Sequence, residues 1–234
     1  VGVCLEIVQG LFAELPVLLH TVMHTAGQGH AMSYAGSGTN ALDRGIEAVV
    51  YAHQAMSAVT PAALWERRFG SATIRLQKRY RLVPRGVAVC FTCATFPTWN
   101  AYPAMLASLA TGNAVIVKPH PTGILPMALS VRVARRVLAS AGFDPNLVTM
   151  AVDSAEQPIG KLLVKHPQTA IIDHRPRGET HRAACEGRRT AAARCGTVRR
   201  APPAPDASRA ARVPGAAGRR VPASPRLRAA GDRG

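Results

Sequence analysis

Apolar and polar positions change rhythm along this chain, and the rhythm divides it into three. Residues 3–26 repeat at helical spacing, with Pro16 as a break or kink. AGSGTN (35–40) reads as a loop. ALDRGIEAVVYAHQAMSA (41–58) reads as a second helix, with Ile46, Val49, Val50 and His53 along one face. RRFGSATIRLQKRYRLVPRG (67–86) carries scattered charges and strand-like pieces and ends at Pro84-Arg85-Gly86. Residues 1–83 are therefore expected to form a largely helical N-terminal segment.

From residue 84 the pattern shortens. GVAVCF (86–91) is a wholly apolar run, the mark of a strand buried on both faces. The loop TCATFP follows, then a helix, NAYPAMLASLATG, closed by Gly112. AVIVK (114–118) is a second buried strand. ILPMALSVRVARRVLASAG (124–142) predicts an amphipathic helix, with Leu125, Leu129, Val133 and Val137 as its apolar stripe and Arg132, Arg135 and Arg136 off it. LVTMAV (147–152), AEQPIGKLLVKHP (155–167) and TAII (169–172) add strand, helix and strand. This alternation predicts an α/β unit over 84–173, an incomplete Rossmann-like, doubly wound parallel sheet. Ligands of such sheets bind at the carboxyl ends of the strands, which singles out TCATFP and KPHP (118–121).

Composition changes the picture in one place. The chain has 234 residues, 47% hydrophobic, with a formal charge of +16. Residues 174–234 hold 15 of the 29 Lys+Arg and 4 of the 13 Asp+Glu, so most of the excess lies there. Of these 61 residues, 44 are Ala, Arg, Gly or Pro, and none is Lys, Ile, Met, Phe, Trp or Tyr. Such a segment has little to bury, and a disordered basic tail is expected. Arginine without lysine is what a GC-rich gene gives when read out of frame. The junction agrees, because a His-Arg string such as CAC-CGG-C, shifted by one base, reads Thr-Gly. A frameshift at or just after Asp173 is the expectation. The alternative is a genuine tail that binds nucleic acid non-specifically through its arginines.

Other chemistry is thinner. HTVMHTAGQGH (20–30) places His20, His24 and His30 at the spacing of a zinc-hydrolase helix and turn, but Thr21 stands where the general base should be. No metal is expected. Cys90 and Cys93 form a CxxC that reads as a buried strand entering a loop, and Cys185 and Cys195 show no metal pattern. No apolar run is long enough to span a bilayer, no signal peptide is evident, and a reducing, cytoplasmic compartment is expected.

The stretch FP at 96–97, LATGNAVIVKP at 109–119 and AGFDPNLV at 141–148, in that order and spacing, resembles the cofactor-binding core of the aldehyde dehydrogenase superfamily. TFPTWNAYP, with HTVMHTAGQ and DRGIEAVVYA upstream, resembles its phenylacetic acid degradation branch, PaaN. The resemblance spans about residues 3–173. It implies a cysteine nucleophile, hydride transfer to NAD or NADP, and a glutamate that activates water. It implies as substrate a ring-opened semialdehyde, as its CoA thioester, and a homo-oligomer. It also implies cofactor contacts from Thr92, Cys93, Ala94, Thr95, Lys118, His120 and Pro121. Thr95 stands at the family's oxyanion asparagine, with Asn100 close by. Lys118 matches the lysine that bonds the adenosine ribose. Pro121 replaces a glutamate that binds ribose hydroxyls in NAD-preferring members, so NADP is expected to be tolerated or preferred. The resemblance stops after TAIID, before the family's nucleophile and base. The chain is therefore expected to be a truncated, catalytically inactive dehydrogenase.

Overall fold

The computed structural model describes residues 1–173. The expected out-of-frame basic tail, 174–234, with Cys185, Cys195 and the junction beyond Asp173, lies outside the described residues.

Helices α1 (Gly2–Ala13) and α2 (Leu15–Ala26) meet at Glu14 with a bend of 69°. Pro16 lies in the first turn of α2, where its missing N–H costs no hydrogen bond, so it starts a helix rather than kinking one. α1 buries Cys4, Ile7, Val8 and Leu11, and α2 buries Leu15, Leu18, Leu19 and Val22. Among the described residues no single helix is long and apolar enough to cross a membrane.

A single turn, α3 (His30–Met32), runs into a π-helical segment at Ser33–Thr39 and then α4 (Asn40–Ser57). The expected loop at 35–40 is thus wide helix. Its glycines are there for contact: a Cβ at Gly36 would lie 2.7 Å from the Phe96 ring, and one at Gly38 would lie 2.9 Å from Leu19. The expected face of α4 also shifts. Ile46, Val50 and His53 are exposed, and the buried residues are Ala41, Leu42, Gly45, Val49 and Ala52. This is a face of mostly small side chains. At Gly45 a Cβ would come within 2.8 Å of Leu106, so glycine lets α4 lie close on the next helix.

The strand-like pieces form an antiparallel hairpin, β1 (Ala62–Phe69) and β2 (Ala72–Arg79), pairing Ala62 with Arg79 through Phe69 with Ala72. Every residue of both strands is exposed, Leu64, Trp65, Ile74 and Leu76 included.

The sheet then follows the predicted order: β3 (Val87–Phe91), α5 (Pro97–Ala110), β4 (Ala114–Lys118), α6 (Ile124–Ser140), β5 (Val148–Met150), α7 (Gly160–Lys165) and β6 (Thr169–Asp173). All pairings are parallel, and the strand order is β5-β4-β3-β6. The chain steps outward twice, then returns past β3, so right-handed crossovers put α7 on the face opposite α5 and α6. The side chains agree. The Cys90 thiol lies 3.8 Å from the Ala101 carbonyl of α5, while the next residue, Phe91, faces Gly160 of α7. Helices α1, α2 and α4 cover α5 and α6 from outside.

The stripe of α6 is rotated from the expected one. Leu125 is exposed and Leu129 and Val137 are half-buried, whereas Met127, Ser130, Val131, Val133, Ala134 and Leu138 are buried. With α1 and α2 on one side and the sheet on the other, the buried arc is wider than a four-residue stripe. Arg132 and Arg136 remain outside it and hold Glu14 at 3.1 and 2.8 Å, tying the α1–α2 corner to α6. The Arg136 hydrogen bond, with help from Arg132, keeps the Glu14 carboxyl below its ordinary range.

Asn113 fixes the start of the sheet. Its Oδ1 accepts the backbone N–H groups of Arg85 (2.7 Å) and Gly86 (3.1 Å), and its amide donates to Ser108 and Thr111. Gly112 before it has φ 83°, the left-handed turn that ends α5 and leaves room for Pro84.

Candidate functional site

The order β5-β4-β3-β6 reverses direction between β3 and β6, so a crevice is expected outside their carboxyl ends. Thr92 follows β3 at this point. Its N–H donates to the Lys118 carbonyl at 3.1 Å, continuing the parallel ladder by one residue. Its hydroxyl is buried and has no hydrogen-bond partner among the described residues. A buried hydroxyl without a partner is costly, and at a ligand crevice it is suited to a bound group.

The rest of the β3–α5 connection is a tight turn built on sulfur. Cys93 Sγ accepts the Phe96 N–H at 3.2 Å and lies 3.7 Å from Thr95 Oγ1. Ala94 is half-buried and Thr95 exposed. The Thr95 carbonyl accepts the side-chain amide of Gln28, whose own carbonyl accepts the Ser37 hydroxyl at 3.0 Å. Thr98 then donates to the Ser37 carbonyl at 2.7 Å. The turn after α2 and the π-helical segment therefore clamp this loop from the N-terminal side. Pro97 opens α5, and Asn100 lies in its first turn with its N–H bonded to Phe96.

At the end of β4, Lys118 Nζ lies 2.6 Å from Asp153 Oδ1. Both side chains are nearly buried, at 12% and 2% exposure. Asp153 follows β5, and its Oδ2 accepts the Ile159 N–H at 3.0 Å. Residue patterns did not single out Asp153; its signal was only its place after a strand. His120 is exposed. Its Nδ1 accepts the Thr122 N–H at 3.2 Å and lies 2.9 Å from the Thr122 hydroxyl, so it caps the short 3-10 turn that Pro121 begins.

Seven sequence candidates thus separate into groups. Thr92, Cys93, Ala94 and Thr95 lie on one rim loop and Lys118 on the next strand end, joined to it through the Thr92–Lys118 ladder bond. His120 and Pro121 shape the turn after Lys118. The zinc arrangement does not form. His20 is exposed with Nδ1 at 2.7 Å from the Pro16 carbonyl, and His30 stacks on Tyr34. Among the described residues no three His, Cys, Asp or Glu side chains converge on a common point. Gly27, at φ 67°, does turn the chain, but it delivers Gln28 to the loop rather than a third histidine to a metal.

The two sheet cysteines differ. Burial, and then the nearby Asp173 charge, push the Cys90 thiol far above its ordinary range, which keeps it protonated. Cys93 is half-buried in the loop, and Cys4, Cys90 and Cys93 are all free.

An open parallel sheet with a polar rim at its reversal point is the Rossmann-like class of α/β unit. The aldehyde dehydrogenase family model matches residues 22–175, and the chain belongs to that family. A solved NAD-dependent aldehyde dehydrogenase from Burkholderia multivorans is 45% identical, with a TM-score of 0.70 over 73% of this chain and 31% of its own. HpcC from Thermus thermophilus is 17% identical with a TM-score of 0.63, covering 81% of this chain and 34% of its own. A 1-pyrroline-5-carboxylate dehydrogenase 1 from Halalkalibacterium halodurans is 33% identical over 101 residues, 41% of this chain and 18% of the relative. The chain spans about a third or less of the length of these relatives.

Proposed function

We propose that residues 84–173 form the adenosine side of an NAD(P) site, and that the chain binds a dinucleotide without oxidising aldehydes. The observation that carries this is the unpartnered, buried Thr92 hydroxyl at the reversal point, one ladder bond from the Lys118–Asp153 pair. A hydroxyl, an ammonium and a carboxylate suit a sugar bearing hydroxyl groups. When bound, the nicotinamide cofactor supplies the hydride acceptor for aldehyde oxidation.

The chain's own groups divide the work. Lys118 and Thr92 bind, and Gln28, Ser37 and Thr98 hold the loop that borders the site. Neither sheet cysteine suits the nucleophile's role. Cys90 is a core thiol, and the Cys93 sulfur is engaged by the Phe96 N–H. Thr95, offered as an oxyanion donor, contributes its carbonyl to Gln28 and leaves its exposed hydroxyl near Cys93.

The longer relative acts, in this reading, on a ring-opened semialdehyde of phenylacetate breakdown, as its CoA thioester. The support is that the stretches resembling that branch pack on one another. HTAGQ reaches TFP through Gln28 and Thr95, and DRGIEAVVYA in α4 packs on TWNAYP in α5. A cytoplasmic, reducing setting belongs to the same reading and is supported by the free thiols. Assembly into a homo-oligomer is supported by the exposed apolar side chains of the β1–β2 hairpin.

The test is a calorimetric titration of the full chain with NADH, followed by an assay with NAD, NADP and simple and CoA-linked aldehydes. Saturable binding without turnover is expected. No binding at millimolar dinucleotide overturns the site, and turnover overturns the inactivity.

A further inference from the structure

We propose that Asp153 sets the choice of dinucleotide at this site, favouring an adenosine ribose that carries no 2′-phosphate. The inference rests on the NAD(P) site proposed above and assigns its specificity to one residue.

A lysine alone at the end of β4 would attract a phosphate. A 2′-phosphate carries close to two negative charges at neutral pH. Lys118 is not alone: Asp153 Oδ1 is 2.6 Å away, and the Asp153 side chain is almost wholly buried. The carboxylate is held in this orientation, because its other oxygen accepts the Ile159 N–H. The Lys118 charge is thus already matched, and an incoming phosphate would meet a fixed negative group in a site of low dielectric. A ribose hydroxyl meets no such penalty, since it can donate to a carboxylate and accept from an ammonium.

Two neighbouring basic side chains are engaged elsewhere. Arg135 bonds the Val148 carbonyl and Asn146 at the opposite end of β5. His120, beside Lys118 in sequence, spends Nδ1 on the turn at Thr122. The sequence placed Pro121 where related chains carry a glutamate, and tolerance of NADP followed. The structure supplies a carboxylate from the segment that follows the neighbouring strand instead. Position 121 and position 153 are different solutions to one electrostatic requirement.

The experiment titrates the full chain with NADH and NADPH, and competes NADH with 5′-AMP or adenosine 2′,5′-bisphosphate. Moderate salt, with inorganic pyrophosphate as control, removes non-specific binding to the arginine-rich residues 174–234. Wild type is expected to bind NADPH about tenfold or more weakly than NADH, the scale of an unrelieved like-charge contact. Asp153→Asn keeps an acceptor for Ile159 and frees Lys118, and should close most of that gap. Asp153→Glu should preserve it. Equal affinity of wild type for NADH and NADPH overturns the proposal, as does an unchanged ratio in an Asp153→Asn protein that melts normally. Should that variant fail to fold, the wild-type competition decides: a bisphosphate that competes as well as 5′-AMP overturns it. Absence of binding by either dinucleotide overturns the NAD(P) site itself, and Asp153 loses its role with it.

Discussion

Gln28 donates its side-chain amide to the main-chain carbonyl of Thr95, joining the turn after α2 to the loop after β3. The same amide group accepts from Ser37, so one side chain ties the turn after α2 and the π-helical segment to a loop 67 residues further on. Gln28→Ala should lower stability by about 1 kcal/mol, the usual worth of such a bond. It should weaken NADH binding more than a surface substitution of equal thermal effect. Urea denaturation and NADH titration of the same variant provide both readings.

Asn113 satisfies two backbone N–H groups at once. Asn113→Ala removes that shared acceptor just before β3, where Arg85 and Gly86 are exposed. The expected loss is about 1–2 kcal/mol, read from chemical denaturation. Asn113→Asp retains the acceptor and should lose less.

Thiol accessibility should rank the described cysteines. Cys4 and Cys90 are buried, with thiols held protonated by burial, whereas Cys93 is only half-buried. Brief alkylation of the native chain at mildly alkaline pH, mapped by mass spectrometry, should modify Cys93 well before the other two. Equal labelling would mean that β3 opens readily.

Stability should fall at high pH. Burial raises both the Cys90 thiol and the Tyr102 phenol above their ordinary values of 9.0 and 10.0. For an acid raised on folding, the unfolded chain loses its proton first. The stabilising contribution is complete below pH 9.0 and drains away as pH climbs past 9.0 and then 10.0. Tyr102→Phe removes the 3.0 Å bond to Ser130 and should cost about 1 kcal/mol at pH 7. It should also flatten the decline above pH 10.0. A decline of the same slope in that variant would assign the effect elsewhere.

The strands of the sheet were legible because β3 and β4 are short apolar runs, and a run of that kind has few other places to be. Helix existence was legible for the same reason of period. The facing of α4 and α6 was not. On α4, Leu42 and Val49 share the buried face with Gly45, Ala41 and Ala52, which carry almost no hydrophobic signal, while Ile46 and Val50 lie exposed. On α6, two packing partners widen the buried arc and displace Leu125 to the surface. The glycines of the π-helical segment read as a loop because their purpose, room for Phe96 and Leu19, exists only in three dimensions. The site divided similarly. Lys118 was visible at a strand end, but its partner Asp153 lies in the segment after a different strand, and no local pattern links the two.

The clamp on the rim loop also fixes an order of events during synthesis. Gln28 and Ser37 leave the ribosome before Thr95 and Thr98, the groups they hold. α1, α2 and α4 are made before α5 and α6, which they cover. The nascent helices therefore wait with apolar faces uncovered until roughly the end of α6 has emerged. Non-local docking of this kind is slow and exposes the chain to association while it waits. Residues 58–140 are therefore the stretch of chain that must emerge before those faces are covered.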